Sequence, residues 1–165
     1  MSEAIQIFQA SEIIPGTDIH SDLNIKIWKP SLFGFVPPGK GKKYVFYWLY
    51  HYLSIFKNNN YCAVLIYNKN QLISSLLVVP AYYKWPFMRE KDVQFTYVLT
   101  KKEFRGRGLA LKMIQYAAKS LQNVTSYWYI TESANLGSVR VAEKAGFRIV
   151  GTGRTVGFFR RIGIE

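Results

Sequence analysis

A glycine-rich segment between a β-rich run and an amphipathic stretch is the feature that most constrains how this chain folds. Residues 104–110 read Phe-Arg-Gly-Arg-Gly-Leu-Ala, and they follow residues 92–100, which are rich in Val, Phe, Tyr and Thr. In residues 108–121, four apolar side chains share one face at helical spacing. These are Leu109, Met113, Tyr116 and Ala117. A strand that leads through a glycine-rich turn into a helix is typical of α/β folds.

The rest of the chain alternates between strand and helix patterns over a length, 165 residues, that fits one domain with one core. Further strands are predicted over residues 1–9, 24–28, 61–67, 71–79, 125–131, 147–150 and 155–161, and further helices over residues 44–57 and 136–145. A hairpin is predicted at residues 68–70, a turn at residues 151–153 and a loop over residues 31–43. This order predicts helices that cover a mixed sheet.

The glycine-rich segment has the chemistry of a phosphate-binding turn. Glycines let the backbone pass close to a ligand, and a helix that starts there offers unpaired N–H groups to an anion. Arg105 and Arg107 add positive charge beside it. A dinucleotide-binding turn would need glycine where Leu111 stands, and the Gly-Lys-Ser/Thr of a P-loop is absent. A plain strand-to-helix turn with solvated arginines is the alternative.

Two blocks of residues give the chain a family resemblance. Arg105, Gly108 and Ala110 match the signature Arg/Gln-x-x-Gly-x-Gly/Ala, in its expected place after a strand. A second block, from Asn135 to Phe147, reads Asn-Leu-Gly-Ser-Val-Arg-Val-Ala-Glu-Lys-Ala-Gly-Phe. Together they resemble the GCN5-related N-acetyltransferase (GNAT) superfamily, especially the branch that acetylates ribosomal protein N-termini. The resemblance covers residues 61–161 well and residues 1–60 poorly.

The resemblance implies one acyltransferase domain over residues 1–165, with a mixed, mostly antiparallel central sheet and helices on both faces. It also implies acetyl-CoA as the cosubstrate. The backbone of Val98 and Thr100 would hold the pantetheine arm, and the Val98 N–H would polarise the thioester carbonyl. Asn135 would contact the cosubstrate, with a helix N-cap as its alternative role. Further contacts would come from Arg105, Gly106, Arg107, Gly108, Leu109, Ala110 and Ser138.

Acetyl transfer to an amine needs a neutral amine, a polarised carbonyl and a protonated leaving thiolate. The resemblance places a carboxylate base at Asp92, with Glu90 and Glu132 as second choices, whereas a solvated residue at a strand start is the alternative for Asp92. Ala142 stands where relatives carry a tyrosine as general acid. The substitutes considered are Ser138, Tyr97 and Tyr129, or departure of the thiolate without help from a side chain.

The composition alone does not decide which partners the protein binds. The chain has 22 Lys and Arg against 10 Asp and Glu, a formal net charge of +12 that attracts anions. The charge and the interleaved aromatic residues make a nucleic-acid-binding module one rival function, although we expect no specific nucleic-acid binding. Ala142, in the place of the usual tyrosine, makes a CoA-binding regulator without catalysis the other rival. The two histidines lack companion ligands, so no metal site is expected. The start of the chain, the lone Cys62 and the lack of a long apolar run favour a cytoplasmic protein without a membrane span.

The acceptor is expected to be a primary amine on a sugar, a small metabolite or a protein N-terminus. The resemblance places acceptor binding in residues 31–57 and 150–159, where the family pattern fades. Aromatic residues between positions 44 and 52 are expected to pack in the core, with stacking on a ligand ring as the alternative. A homodimer is left open.

Overall fold

The structure, a computed structural model, describes residues 4–16 and 23–154. Within these ranges lie seven strands, three helices and two short 3₁₀ turns, which we number in chain order. The strands are β1 (Ala4–Ala10), β2 (Leu23–Trp28), β3 (Cys62–Asn68), β4 (Gln71–Pro80), β5 (Val93–Thr100), β6 (Tyr127–Glu132) and β7 (Arg148–Arg154). The helices are α1 (Val45–Tyr52), α2 (Leu109–Ser120) and α3 (Leu136–Lys144), and the 3₁₀ turns are Lys42–Tyr44 and Lys102–Phe104.

The described strands form one sheet in the order β2-β3-β4-β5-β6-β1-β7. Its neighbours are antiparallel except β5 and β6, which run parallel. The parallel pairing is short, joining Val93–Phe95 to Tyr127–Tyr129. The predicted mixed, mostly antiparallel α/β sheet is therefore confirmed, and so is the hairpin between β3 and β4.

Alternation along the central strands builds a core on each face of the sheet. In β3, Cys62, Val64 and Ile66 join the core beneath α2 and α3. Ala63 and Leu65 join the core on the other face, which also holds Tyr44 at the start of α1. Because both faces are covered, β3 and β4 do not alternate between apolar and polar residues; β3 begins with a continuous apolar run, and the apolar run of β4 is interrupted by the buried Ser74 and Ser75.

Two predicted boundaries are wrong. The first helix ends at Tyr52 instead of residue 57, because Ser54 adopts a positive φ of 54°, which no α-helix can continue through. Residues 151–153 do not turn but continue β7 to Arg154, because Gly151 pairs with Ile7 of β1. The strand predicted over residues 155–161 lies outside the described residues.

The aromatic run of the first helix is divided between core and surface. Tyr44 is buried and Tyr47 packs against the same core, as expected. Phe46 is 61% exposed and Tyr52 is 42% exposed, so core packing explains only part of the run. None of the helices in the described ranges combines the length and apolar character needed to cross a membrane.

Candidate active site

A β-bulge in β5 opens the sheet beside the glycine-rich turn. Ser75 pairs with Leu99 and Leu77 with Thr96, so two residues of β5, Tyr97 and Val98, oppose one residue of β4. Tyr97 adopts a positive φ of 50°, which is unusual for a residue with a side chain. Bulges bend a strand and redirect its side chains. Here the bend comes just after β5 and β6 stop pairing, so the two strands separate.

A cavity of about 620 Å³ lies where β5 leaves β6. It is lined by the end of β5, the glycine-rich turn, the first turn of α2 and one side of α3. The predicted cosubstrate residues that line it are Val98, Thr100, Arg105, Gly106, Gly108, Leu109, Ala110, Asn135 and Ser138. Arg107 lines a neighbouring pocket instead, together with Phe104 and Lys112. Asp92 lines neither of these two pockets.

The glycine-rich turn presents backbone to the cavity. Gly106 and Gly108 have φ values of 76° and 71°, a region that side chains rarely allow. A Cβ atom at either position would meet no protein atom within 4 Å, so both face open space. Gly108 caps α2 without a side-chain hydrogen bond. The N–H groups of the first turn of α2 are therefore left for an anion, and the turn fits a pyrophosphate.

Side chains of the turn are anchored to the neighbouring backbone. Arg105 Nε donates to the carbonyl oxygen of Thr100 at 3.1 Å. Arg107 lies over the ring of Phe104, 5.1 Å from its centroid. Buried Ser74 of β4 donates from Oγ to the Leu99 carbonyl at 2.9 Å. These contacts fix the end of β5 against both β4 and the turn.

Helix α3 supplies the opposite wall. Asn135 Oδ1 accepts a 3.1 Å hydrogen bond from the backbone N–H of Ser138, so the N-cap role considered for Asn135 is confirmed. Arg140 and Lys144 also line the cavity, one helical turn apart. Sequence reasoning did not assign them to the site, although their i, i+4 spacing places both on one helix face. They add positive charge to a wall that faces the glycine-rich turn.

The sequence profile of the acetyltransferase (GNAT) family matches residues 25–147. The match covers most of the chain and includes β5, the glycine-rich turn and α3. The chain belongs to the GNAT family. No curated protein sequence matches this GNAT domain significantly.

Solved GNAT structures share its fold at low sequence identity. A GNAT-family protein from Novosphingobium aromaticivorans aligns with a TM-score of 0.57 and 16% identity, over 92% of this chain and 62% of that protein. A GCN5-related N-acetyltransferase from Sphaerobacter thermophilus gives 0.57 and 16%, over 92% and 50%. One from Kribbella flavida gives 0.53 and 11%, over 99% and 62%. This chain thus spans between 50% and 62% of their lengths, and the likeness shows the fold alone.

Asp92 of this GNAT domain lies just before β5 and is buried, with 1% of its surface exposed. The solvated strand start considered for it is therefore wrong. Its Oδ2 accepts hydrogen bonds from the Trp128 indole and from the Arg89 backbone N–H, each at 2.9 Å. These contacts favour a structural role, and the catalytic role of Asp92 stays a prediction. The second choices, Glu90 and Glu132, are exposed and do not line the cavity.

Tyr129 of β6 is the buried candidate for the general acid. It lines the cavity together with Ser138. Burial raises the pKa of Tyr129, and the nearby Ser138 side chain opposes part of that shift. The phenol therefore keeps its proton at neutral pH. Ala142 packs in the core and offers no polar group.

The described residues contain no cluster of three or more His, Cys, Asp or Glu side chains that could hold a metal ion. Cys62 is buried in β3, and burial raises the pKa of its thiol to about 12. It is therefore a protonated core residue at neutral pH.

Proposed function

We propose that this GNAT domain transfers an acetyl group from acetyl-CoA to a primary amine. The proposal rests on one observation. A bulged strand and the start of a helix that has no side-chain cap meet at the same cavity. Val98 and Gly108 both line that cavity, the first on β5 and the second at the start of α2. Acetyl-CoA has a thioester and a pyrophosphate joined by one flexible arm. It therefore needs a site for each of the two groups in the same cavity, and the bulged strand and the helix start provide them.

Binding would draw on backbone and charge together. The N–H groups at the start of α2 would hold the pyrophosphate, because the positive end of the helix dipole faces it. Arg140 and Lys144 would attract the remaining phosphate charge from the opposite wall. The backbone of Val98 and Thr100 would pair with the amides of the pantetheine arm, as one more strand pairs with a sheet edge.

Acetyl-CoA, when bound, supplies a thioester whose carbonyl carbon is the electrophile. The Val98 N–H would donate to the carbonyl oxygen as negative charge develops there, which lowers the barrier. The neutral amine forms the new C–N bond while the C–S bond breaks, and its surplus proton passes to water. Tyr129 would give its proton to the departing thiolate sulfur and take one back from water, because burial keeps its phenol protonated at neutral pH.

Thermal unfolding with acetyl-CoA tests the cosubstrate half of the proposal. At 100 times its dissociation constant, a ligand of the native state adds about 2.7 kcal/mol to the free energy of unfolding, so the melting temperature rises. Gly108→Val places a branched side chain at a positive φ in the open turn, so the rise is lost.

Gly41→Val is the matched control. Gly41 also faces open space, but its φ of −80° suits any residue and it lies outside the cavity. The control keeps the temperature rise. A folded Gly108→Val protein with an undiminished rise would refute the assignment of the turn. Release of the CoA thiol with a panel of amines then separates an enzyme from a regulator that binds CoA without turnover.

A further inference from the structure

Another cavity, of about 220 Å³, lies on the other face of the sheet from the 620 Å³ cavity beside the glycine-rich turn, which we call the groove. Six of its lining residues are tyrosines: Tyr44, Tyr47, Tyr50, Tyr82, Tyr83 and Tyr97. They come from α1 and the residue before it, from the segment after β4 and from the bulge of β5. We refer to this cavity as the tyrosine pocket. Packing of the hydrophobic core does not account for all six tyrosines, because Tyr83 is 54% exposed and Tyr97 is 38% exposed.

The tyrosine pocket and the groove meet at one peptide unit. Tyr97 lines the pocket, and the next residue, Val98, lines the groove. Consecutive residues of a strand face opposite sides of its sheet, and the bulge sits where β5 has parted from β6. A molecule held in the pocket therefore lies across the opened sheet from a thioester held at Val98.

The aromatic rings that line the tyrosine pocket are neutral, and they contact and hydrogen-bond one another. Tyr44 and Tyr97 meet edge to face, with centroids 5.1 Å apart. The hydroxyls of Tyr50 and Tyr83 are 2.7 Å apart. This hydrogen bond, together with burial, raises the pKa of Tyr50 to about 12, so its phenol stays neutral at physiological pH. Such walls offer ring edges and faces to a flat aromatic group.

The charge and the volume of the tyrosine pocket limit further which molecules can bind in it. Among the described residues that line the tyrosine pocket there is no carboxylate, and Lys84 is the charged side chain. A polyamine would bring several positive charges to a pocket without an opposite charge, so its desolvation would cost more than that of an amine with a single positive charge. The volume of about 220 Å³ is below the roughly 300–1,000 Å³ of pockets for drug-sized ligands. One ring with a short alkyl arm matches this space.

From this geometry we propose that the tyrosine pocket is the acceptor site and that the acceptor is an arylalkylamine, a primary amine on a short arm of one aromatic ring. The ring would lie among the tyrosines, with the arm passing the bulge at Tyr97 toward Val98. This proposal rests on the acetyl transfer proposed above. The amine nitrogen gains the acetyl group as the C–S bond breaks, its surplus proton goes to water, and the thiolate takes up a proton.

Calorimetric titration with 2-phenylethylamine tests the tyrosine pocket without requiring turnover, and it is run with and without CoA. The comparison ligand is 2-cyclohexylethylamine, which has the same carbon skeleton without aromaticity. We expect the aromatic amine to bind about threefold to tenfold more tightly, the contribution of an aromatic pair beyond its buried area. Tyr83→Ala lowers the affinity for the aromatic amine by a similar factor, and Tyr83→Phe keeps most of it.

Tyr52→Ala is the matched control, because Tyr52 is a similarly exposed tyrosine of α1 that does not line the tyrosine pocket. It leaves the affinity unchanged. Equal binding of the two amines, equal losses in Tyr83→Ala and Tyr52→Ala, or no binding of 2-phenylethylamine would each overturn the assignment. Rapid acetylation of spermidine or of a peptide N-terminus, with 2-phenylethylamine left untouched, would overturn it while sustaining acetyl transfer. Absence of acetyl-CoA binding alongside normal amine binding would instead refute the proposed function alone.

Discussion

The carboxylate of Asp92 accepts a 2.9 Å hydrogen bond from the indole N–H of Trp128. Asp92 precedes β5 and Trp128 lies in β6, so the bond joins the two parallel strands where their pairing begins. The same oxygen accepts the backbone N–H of Arg89, also at 2.9 Å. Both groups of the pair are buried. The carboxylate that the family resemblance placed at the chemistry therefore joins the two halves of the sheet, which favours a structural role, while its catalytic role stays a prediction.

Replacing Asp92 distinguishes its two roles. Asp92→Ala leaves the buried Trp128 indole without an acceptor, so we expect a loss of about 1.5–3 kcal/mol in the free energy of unfolding, measured by urea titration. Asp92→Asn keeps an acceptor oxygen and stays closer to the parent in stability. Because Asp92 does not line the groove, we expect Asp92→Asn to acetylate amines within a few-fold of the parent rate.

A loss of roughly 10² to 10⁴ in turnover by a stably folded Asp92→Asn protein, with unchanged acetyl-CoA affinity, would instead identify Asp92 as a general base. Partial recovery at high pH, where the amine loses its proton unaided, would strengthen that reversal. Glu12→Gln serves as the control, since it removes an exposed carboxylate that does not line the groove.

Ser74 is expected to position the bulged end of β5. Its hydroxyl contacts the Leu99 carbonyl at 2.9 Å and the Thr100 hydroxyl at 2.7 Å. Ser74→Ala removes both contacts, so we expect about 1 kcal/mol of lost stability and a lower kcat, because the Val98 N–H is held less firmly. The control is Ser75→Ala, which removes a buried hydroxyl that makes neither contact. Equal kinetic effects in the two variants would contradict a positioning role for Ser74.

The basic wall of α3 should set part of the affinity for acetyl-CoA. Replacing Arg140 and Lys144 together by glutamine removes two positive charges that line the groove. We expect the dissociation constant of acetyl-CoA to rise about threefold to tenfold at low salt, with a smaller difference at high salt where screening is stronger. Lys91→Gln, an exposed charge outside the groove, leaves the constant unchanged. If the affinity for acetyl-CoA changes neither in the double variant nor with salt, this wall of α3 does not contribute to binding.

Tyr61 links stability to alkaline pH. Its hydroxyl is buried without a hydrogen-bond partner among the described residues, and burial raises its pKa above the usual 10.0. Above pH 10 the unfolded chain loses this proton while the folded chain keeps it. The unfolded state then binds fewer protons, so the free energy of unfolding falls as pH rises, by at most about 1.4 kcal/mol per pH unit for one group.

Tyr61→Phe removes that titration and the unpaired hydroxyl. We expect a variant about 1 kcal/mol more stable at pH 7, and a shallower loss of stability between pH 10 and 11 in urea titrations. Tyr52→Phe removes the hydroxyl of an exposed ring and serves as the control. Parallel curves for the parent and Tyr61→Phe would show that the Tyr61 phenol titrates alike in both states.

The glycine-rich turn could be read from the sequence because its geometry depends on residue type. Gly106 and Gly108 occupy φ values that few other residues adopt, and they stand directly before a helix with clear apolar spacing. The bulge at Tyr97 has no comparable signal in the sequence. The positive φ of this tyrosine follows from the pairing of β4 with β5, and not from the residue type. The site could therefore be located from sequence, but not the opening of the sheet beside it.

Burial was harder to predict than secondary structure, because it depends on distant partners. Asp92 stands at a predicted strand start, a usual place for an exposed carboxylate, and only the approach of Trp128 makes it a buried acceptor. Residues 151–153 carry the composition of a turn, yet pairing with β1 holds them extended. Each error concerns a contact between segments far apart in the chain, which local patterns do not record.

The place of β1 in the sheet has a consequence for biosynthesis. This strand leaves the ribosome before the other described strands, yet its neighbours are β6 and β7, so Ile7 cannot pair until Ile130 and Gly151 have been synthesised. Strands β3, β4 and β5 can pair with one another much earlier, because they are joined in sequence order. Closing so long a loop is slow, and unpaired strand edges invite aggregation. Nascent chains of this GNAT domain therefore carry an apolar, unpaired β1 until β6 emerges, and a chaperone that shields β1 over that interval would raise the yield of folded protein.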